Sequence, residues 1–371
     1  MKEKSFFKIN QALIIILILG CLKLVPGSSF AEETSAWNLL KELVLLPGVS
    51  TREERVADFI LSRIPSALKP QKDEMGNVWF TVGNSSPHLL FIAHLDELGF
   101  FVQQITPHGT LKLRSTGGFL LWNYEGGSVT VWTKKGEIEG VVRPRKGYLT
   151  AEPAPFELET LEVDVGADTQ EEAQAMGIQL GDPVTIRKRI IELSPDLRAS
   201  RAVDDRAGCA ALLAAALKLN WAQIKGKKIT FAWSVQEEVG LRGAAYLAEK
   251  MSASYVFAID TFVSTDSPLE NHRFGLARVG GGAVIRAIDS STIVPHQAMD
   301  KVIRIASART IPLQWANSRG GNDGSVFVPR GAVNIPLAWP GAYAHTFIEK
   351  IHRQDLEALT ELIMAIVQEW Q

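Results

Sequence analysis

The sequence predicts an α/β fold, a mostly parallel sheet flanked by helices, with a small β-rich unit inserted into it. Three observations carry that expectation. Apolar runs of strand length alternate with helical patterns from residue 37 to 99 and again from 198 to 371, the order that builds a parallel sheet covered by helices. The run over 89–93 is apolar on both faces, as a central strand of such a sheet requires. Between these stretches, residues 100–197 carry short β-rich runs broken by Gly-Gly, Lys-Gly and Pro turns, the texture of an inserted β domain. The expected organisation is a leader over 1–31, a main domain made of 32–99 and 198–371, and an insertion over 100–197.

Each element has its own justification. Helical apolar spacing predicts a helix over 37–46. Ser50-Thr51-Arg52-Glu53 has the Ser-x-x-Glu order of a capping box and predicts a second helix to residue 64. Strands are expected over 77–82 and 89–93. In the insertion, 128–132 reads as a strand and 169–176 as a helix. The turn Gly181-Asp182-Pro183 then leads to a strand over 184–187. A helix over 205–219 is nearly pure Ala and Leu, so it should be buried on most sides. A strand over 228–235, a helix over 241–250 and a strand over 255–259 follow. A helix over 292–308, strands over 311–315 and 333–338, and a helix over 354–370 complete the pattern.

The N-terminus has a different logic. Lys2, Lys4 and Lys8 precede an uninterrupted apolar run from Ala12 to Leu22, and Pro26, Gly27, Ser28, Ser29, Phe30 and Ala31 follow. A charged start, an apolar centre and a small-residue cleavage site make a secretory signal. Export, periplasmic or extracellular, with cleavage near Ala31 is therefore expected. The apolar run falls short of the roughly 20 residues that span a bilayer, so no stable membrane span should remain after processing. Cys21 after Gly20 allows lipid anchoring as the less favoured alternative, and an uncleaved anchor is the simplest other reading.

Composition narrows the function classes. The 371 residues are 46% hydrophobic and 22% charged, with a net charge of −2 and no basic stripe, which argues against nucleic acid as a partner. The two cysteines are Cys21 and Cys209; the second sits in an Ala/Leu run and reads as a small buried hydrophobe. There is no His-Glu-x-x-His and no Gly-x-Ser-x-Gly, which excludes helix-borne single-zinc proteases and serine hydrolases with a nucleophile elbow.

Five short segments carry the chemistry: His94-Leu95-Asp96, Asp204-Asp205-Arg206, Gln236-Glu237-Glu238, Ile259-Asp260 and Ala344-His345. Most follow an apolar strand, and ligands of parallel sheets bind beyond the carboxyl ends of the strands. Each segment alone has an ordinary explanation. An isolated His is more often a satisfied core or loop residue than a ligand, and Asp204 and Asp260 would serve as helix or turn caps. Adjacent Glu237 and Glu238 repel in a buried site unless a cation is near. Taken together, His94, Asp204, Glu238, Asp260 and His345, with Asp204 shared, give three ligands to each of two divalent metals. A catalytic zinc takes about three protein ligands and keeps one position open. Two histidines with carboxylates suit zinc, and also cobalt or manganese. Glu237 is then free to act as general base, and Asp96 is placed to fix the orientation of His94.

These segments resemble the tetrahedral-type metalloaminopeptidases, the group containing glutamyl and deblocking aminopeptidases. The markers are Ala93-His94-Leu95-Asp96-Glu97-Leu98-Gly99-Phe100, Val163-Asp164-Val165-Gly166-Ala167, Gly181-Asp182-Pro183-Val184, Val203-Asp204-Asp205-Arg206-Ala207-Gly208-Cys209, Val235-Gln236-Glu237-Glu238-Val239-Gly240-Leu241 and Tyr343-Ala344-His345. The resemblance runs from residue 37 to 370. It implies a zinc-peptidase core with the insertion as a small β-barrel used in homo-oligomer contacts, and peptides as substrates. It also implies that His94 and Asp260 hold one metal, Glu238 and His345 the other, and that Asp204 bridges them. Glu237 is then the base, and the Asp204–Asp205 peptide is cis. Gly320-Gly321-Asn322-Asp323-Gly324 departs from the usual Gly-Gly-Thr-Asp-Ala, at a loop expected to line the substrate pocket.

The leading expectation is a dinuclear metalloaminopeptidase acting on peptides. The alternatives are a metal-dependent amidase or deacylase using the same water chemistry, and a non-catalytic binding protein that keeps the fold.

Overall fold

The computed structural model describes residues 34–118, 124–150, 157–265 and 276–371. The leader expected over 1–31, with Cys21 and Ala31, lies outside them. Helix α1 (Ala36–Leu43) starts where the Ser35 hydroxyl accepts from the Asn38 amide, and it buries Trp37, Leu39, Leu40 and Leu43. Helix α2 (Glu54–Arg63) has no side-chain cap, so the expected capping box does not form. The Ser50 hydroxyl donates instead to Asp96 at 2.6 Å, and Glu53 accepts from the Thr51 and Gln236 amides. A buried carboxylate makes a stronger acceptor for that hydroxyl than a helix end offers as a donor.

Strands β1 (Gln71–Lys72), β2 (Val78–Val82) and β3 (His88–His94) start the main sheet. In β3 Leu89, Phe91 and Ala93 face one apolar core, and Leu90 and Ile92 face another, which is why the run has no polar face. The chain then leaves for β4 (Gly99–Ile105), β5 (Leu111–Thr116), β6 (Ser128–Thr133), β7 (Gly136–Val142) and β8 (Glu162–Asp164). After helix α3 (Gln170–Ala175), β9 (Pro183–Ile186) closes them into a six-stranded barrel, in the order β4-β5-β8-β7-β6-β9. Closure leaves no free edge, and Phe100, Val102, Leu113, Val131, Val163 and Val184 fill the interior.

Strands β10 (Ile191–Ser194) and β11 (Leu197–Ser200) lie outside the barrel. Helix α4 (Val203–Lys218), buried along nearly its whole length, leads to β12 (Lys228–Ser234). Helix α5 (Arg242–Lys250) and β13 (Tyr255–Val263) follow, the strand running four residues past its expected end. Strand β14 (Ala283–Ile288) was not singled out by the sequence. Helix α6 (His296–Ala308) begins at its Pro295 cap rather than at 292, because a residue before proline is disfavoured in the helical region. After β15 (Leu313–Asn317), the strand expected over 333–338 is split into β16 (Val333–Asn334) and β17 (Leu337–Gly341); Pro336 lies between them and has no N–H for a ladder. Strand β18 (Glu349–His352) and helix α7 (Arg353–Glu369) end the chain.

Among the described residues the main sheet runs β1-β2-β12-β3-β13-β17-β14-β15, with β16 beside β13. The pairs β12–β3, β3–β13, β13–β17, β13–β16 and β14–β15 are parallel. Helices α1, α4, α6 and α7 share the larger core on one face, and α5 packs with Ile92, Ala232 and Val256 on the other. Strand β18 pairs with β11, and β11 with β10, to form a separate three-stranded sheet. No helix among the described residues is long and apolar enough to cross a membrane.

Candidate active site

Parallel register brings the sequence-singled residues to one edge of the sheet. His94 ends β3 opposite Ser234, the last residue of β12, and Ala258 of β13 pairs with Ile92. Asp260, two residues on, is therefore level with His94. Past β12 the chain turns through Gln236, whose φ of 57° is left-handed, and presents Glu237 and Glu238. Asp204 and Asp205 open α4 across a cis peptide, with non-helical torsions at both. His345 lies in the loop after β17, also left-handed, with φ 61°.

His94, Asp204, Glu237, Glu238, Asp260 and His345 all line one cavity of about 660 Å³. Ligand atoms of His94, Asp204 and Glu238 lie within 4.8 Å of one another. Both histidines turn Nε2 toward Asp204, His94 at 3.3 Å from Oδ1 and His345 at 3.6 Å from Oδ2. His345 Nε2 is also 3.8 Å from Glu238 Oε2, and its ring is 41% exposed at the cavity mouth. Asp260 is held differently: Oδ1 accepts from the Thr261 amide and Oδ2 from Arg286 Nη1 at 2.8 Å.

Asp96 stands behind the cavity wall. Its main-chain oxygen is 3.1 Å from His94 Nδ1, and its carboxylate is 3.5 Å from the same nitrogen. That contact reserves Nδ1 for a proton and leaves the Nε2 lone pair free. The carboxylate itself accepts from the Glu237 amide at 2.9 Å, the Glu238 amide at 3.2 Å and the Ser50 hydroxyl. Asp96 therefore ties the Glu237–Glu238 turn to His94, a link invisible in the sequence.

The electrostatics report an excess of negative charge. Burial raises the Glu237 carboxyl well above the usual range, and Asp260, Asp323 and Glu238 add to it. Burial and Asp204 push Glu238 up to about 8. Burial alone would raise Asp204 too, but the imidazoles of His345 and His94 beside it hold it below the ordinary range. His345 is driven up to about 9 because Asp204 and Glu238 outweigh its desolvation. Asp204 Oδ1 and Asp205 Oδ2 are buried without a hydrogen-bond partner, a state that native proteins avoid unless an ion or water completes the site. A donor set of two imidazoles and several carboxylates around such orphaned oxygens fits divalent cations.

Two residues escaped the sequence reading. Arg286 sits in β14 between Ile285 and Ala287 and reaches Asp260, Asp289 and the Gly321 carbonyl. A lone arginine in an apolar strand was the available signal, since such a charge is buried only when paired. Asp323 is buried in the Gly320–Gly324 loop and takes the Ser234 hydroxyl. The departures in that loop compensate each other. Asn322 Oδ1 accepts from Asn334 Nδ2 at 2.9 Å, and a Cβ at residue 324 would collide with the same Asn334 side chain. Glycine in place of alanine makes room for the asparagine pair.

Residues 76–362 match the family model described as M42 glutamyl aminopeptidase. The lysyl aminopeptidase of Pyrococcus furiosus is 28% identical over 344 residues, covering 90% of this chain and 97% of that protein. The glutamyl aminopeptidase of Lactococcus lactis is 26% identical over 341 residues, 88% of this chain and 94% of that one. Among solved structures, the Pyrococcus horikoshii TET1 peptidase, described as assembling into a tetrahedron or a large octahedral shell, superposes with a TM-score of 0.83. It is 35% identical, and the match covers 90% of this chain and all of that one. With a family model spanning most of its length and relatives matched almost end to end, this chain belongs to the M42 glutamyl aminopeptidase family of peptide-bond hydrolases.

Proposed function

We propose that the chain is an aminopeptidase that removes N-terminal residues from peptides using two divalent metal ions, zinc first among them. One observation carries the reading: two histidine Nε2 atoms face the two oxygens of a single buried carboxylate, Asp204, beside Glu238. In this reading His94 and Asp260 hold one ion, Glu238 and His345 the other, and Asp204 both. Three protein ligands each leave a coordination position open. Bound there, such a pair would activate a water and polarise the scissile carbonyl. The chain's own groups do the rest. Glu237, on the cavity wall, accepts the water's proton and passes it to the departing amine. Asp96 holds the Glu237 and Glu238 amides in register. A free α-amine held at the cavity by an acidic group or a metal ion directs attack to the first peptide bond.

Assembly and export belong to the same proposal. The barrel carries homo-oligomer contacts, a reading supported by the shells of the Pyrococcus horikoshii TET1 peptidase. The charged, apolar and small residues of 1–31 direct export, with cleavage near Ala31 and lipidation at Cys21 as the lesser route.

The test compares short peptides with free and with acetylated N-termini, with and without a chelator. Chelator-sensitive cleavage of the free-amine peptides alone is the expected result. Equal cleavage of both would favour the amidase or deacylase reading, and cleavage untouched by chelation would remove the metals from the mechanism.

A further inference from the structure

We propose that Glu349 is a positioning residue that sets the spacing between Asp204 and His345, two of the metal ligands; this rests on the functional reading above. Glu349 opens β18 and is 1% exposed. Its two carboxylate oxygens take three donors. Oε2 accepts from the main-chain amide of Asp204 at 3.1 Å, and Oε1 from the amide of His345 at 3.2 Å. Arg201 Nη1 donates to Oε1 at 2.6 Å. One rigid carboxylate thus grips the backbones of two ligands that lie 141 positions apart in the sequence.

The fold explains how this arises. Antiparallel pairing of β11 with β18 sets Ser200 opposite Glu349, so Arg201, the next residue, reaches the same carboxylate. Both ligand backbones need such a hold. His345 has a left-handed φ of 61°, and Ala202, two residues before Asp204, has one of 66°. Non-glycine residues keep that conformation only where their surroundings over-determine it. A loosened His345 loop would move Nε2 away from Asp204 Oδ2, now 3.6 Å off. Outer groups that orient ligands affect metal affinity by about 10–100-fold.

The test is Glu349→Gln in the full chain. Whichever way the amide is turned, its NH₂ faces an N–H donor, so at least one ligand backbone loses its partner. Zn²⁺ affinity is measured by competition with a chromophoric chelator, and the visible spectrum of the Co²⁺-loaded chain reports ligand geometry. The control is Ile351→Val, a buried apolar residue of the same strand. The proposal expects E349Q to bind at least one of the two ions about 10–100-fold more weakly, with an altered Co²⁺ spectrum and a lower kcat at unchanged KM. I351V should lose thermal stability alone. The proposal is overturned if E349Q holds both ions as tightly as the wild-type chain, or if I351V weakens metal binding equally. Should E349Q not fold, R201Q/E349Q, which leaves no buried charge unpaired, is judged by the same two results. A wild-type chain that binds no metal would instead remove the functional reading, and this proposal with it.

Discussion

Asp96→Asn is the perturbation whose effect follows most closely from the geometry. The carboxylate accepts from the Glu237 and Glu238 amides on separate oxygens and from the Ser50 hydroxyl. An asparagine keeps one oxygen. With that oxygen turned to the Glu237 amide, its NH₂ faces Ser50 and the Glu238 amide. The hydroxyl can rotate to accept, but the Glu238 N–H cannot. One buried donor without a partner costs about 1–3 kcal/mol, and the turn bearing both glutamates loses one of its pins. Stability should fall by about that amount in denaturant unfolding. Turnover should fall about 10–100-fold, the usual effect of groups that orient ligands, with KM within about twofold, because substrate does not touch Asp96. Steady-state kinetics on an aminoacyl-p-nitroanilide separates the two constants. Wild-type kcat in a folded D96N chain, or a loss confined to KM, would refute the claim that Asp96 registers the two glutamates.

Three further outcomes are expected. Glu237→Gln should keep its metal content by elemental analysis and lose at least about 100-fold in kcat; retained turnover would place the base elsewhere. Ser50→Ala removes one hydroxyl donor to Asp96 and should cost about 1 kcal/mol in unfolding, with a smaller kinetic effect than D96N. An effect on kcat as large as that of D96N would mean that the hydroxyl, rather than the two amides, holds the carboxylate. His88 offers a pH dependence away from the site: burial lowers it to about 4, only partly offset by its bond to the Ser252 carbonyl. The unfolded chain protonates the same ring near its ordinary 6.5, so this stability is fully present above that pH and is lost as pH falls toward 4. After discounting for partial solvation it amounts to about 2 kcal/mol. His88→Gln should flatten the stability profile between pH 6.5 and 4 relative to wild type, and parallel profiles would count against the assignment.

The contrast between what the sequence disclosed and what it hid has a physical basis. Strands β3, β12 and β13 are central, so burial on both faces wrote itself into mostly apolar runs, broken in β12 by Thr230. His94, Glu237, Glu238 and Asp260 stood out because charged groups directly after such runs violate burial preference, and a site is the common reason for that. Interactions between distant segments left no local trace. The β11–β18 pairing joins four-residue strands some 150 positions apart, and neither has a clean apolar alternation. Ser50 read as a helix cap because its real acceptor, Asp96, is 46 residues away. Arg286 was hidden for the same reason, since nothing near it in the chain names Asp260 as its partner. Barrel closure likewise depends on the non-sequential neighbours β5–β8 and β4–β9, which short, turn-punctuated runs do not specify.

The central claim is that Asp204 serves two metal ions at once. Titrating the metal-stripped chain with Zn²⁺ tests it most directly, with bound metal and activity followed together and Asp204→Asn measured alongside. The account predicts two equivalents bound per chain, activity returning only as both fill, and loss of both high-affinity sites in D204N. A single equivalent restoring full activity, or a D204N chain that still binds two ions tightly, would contradict it.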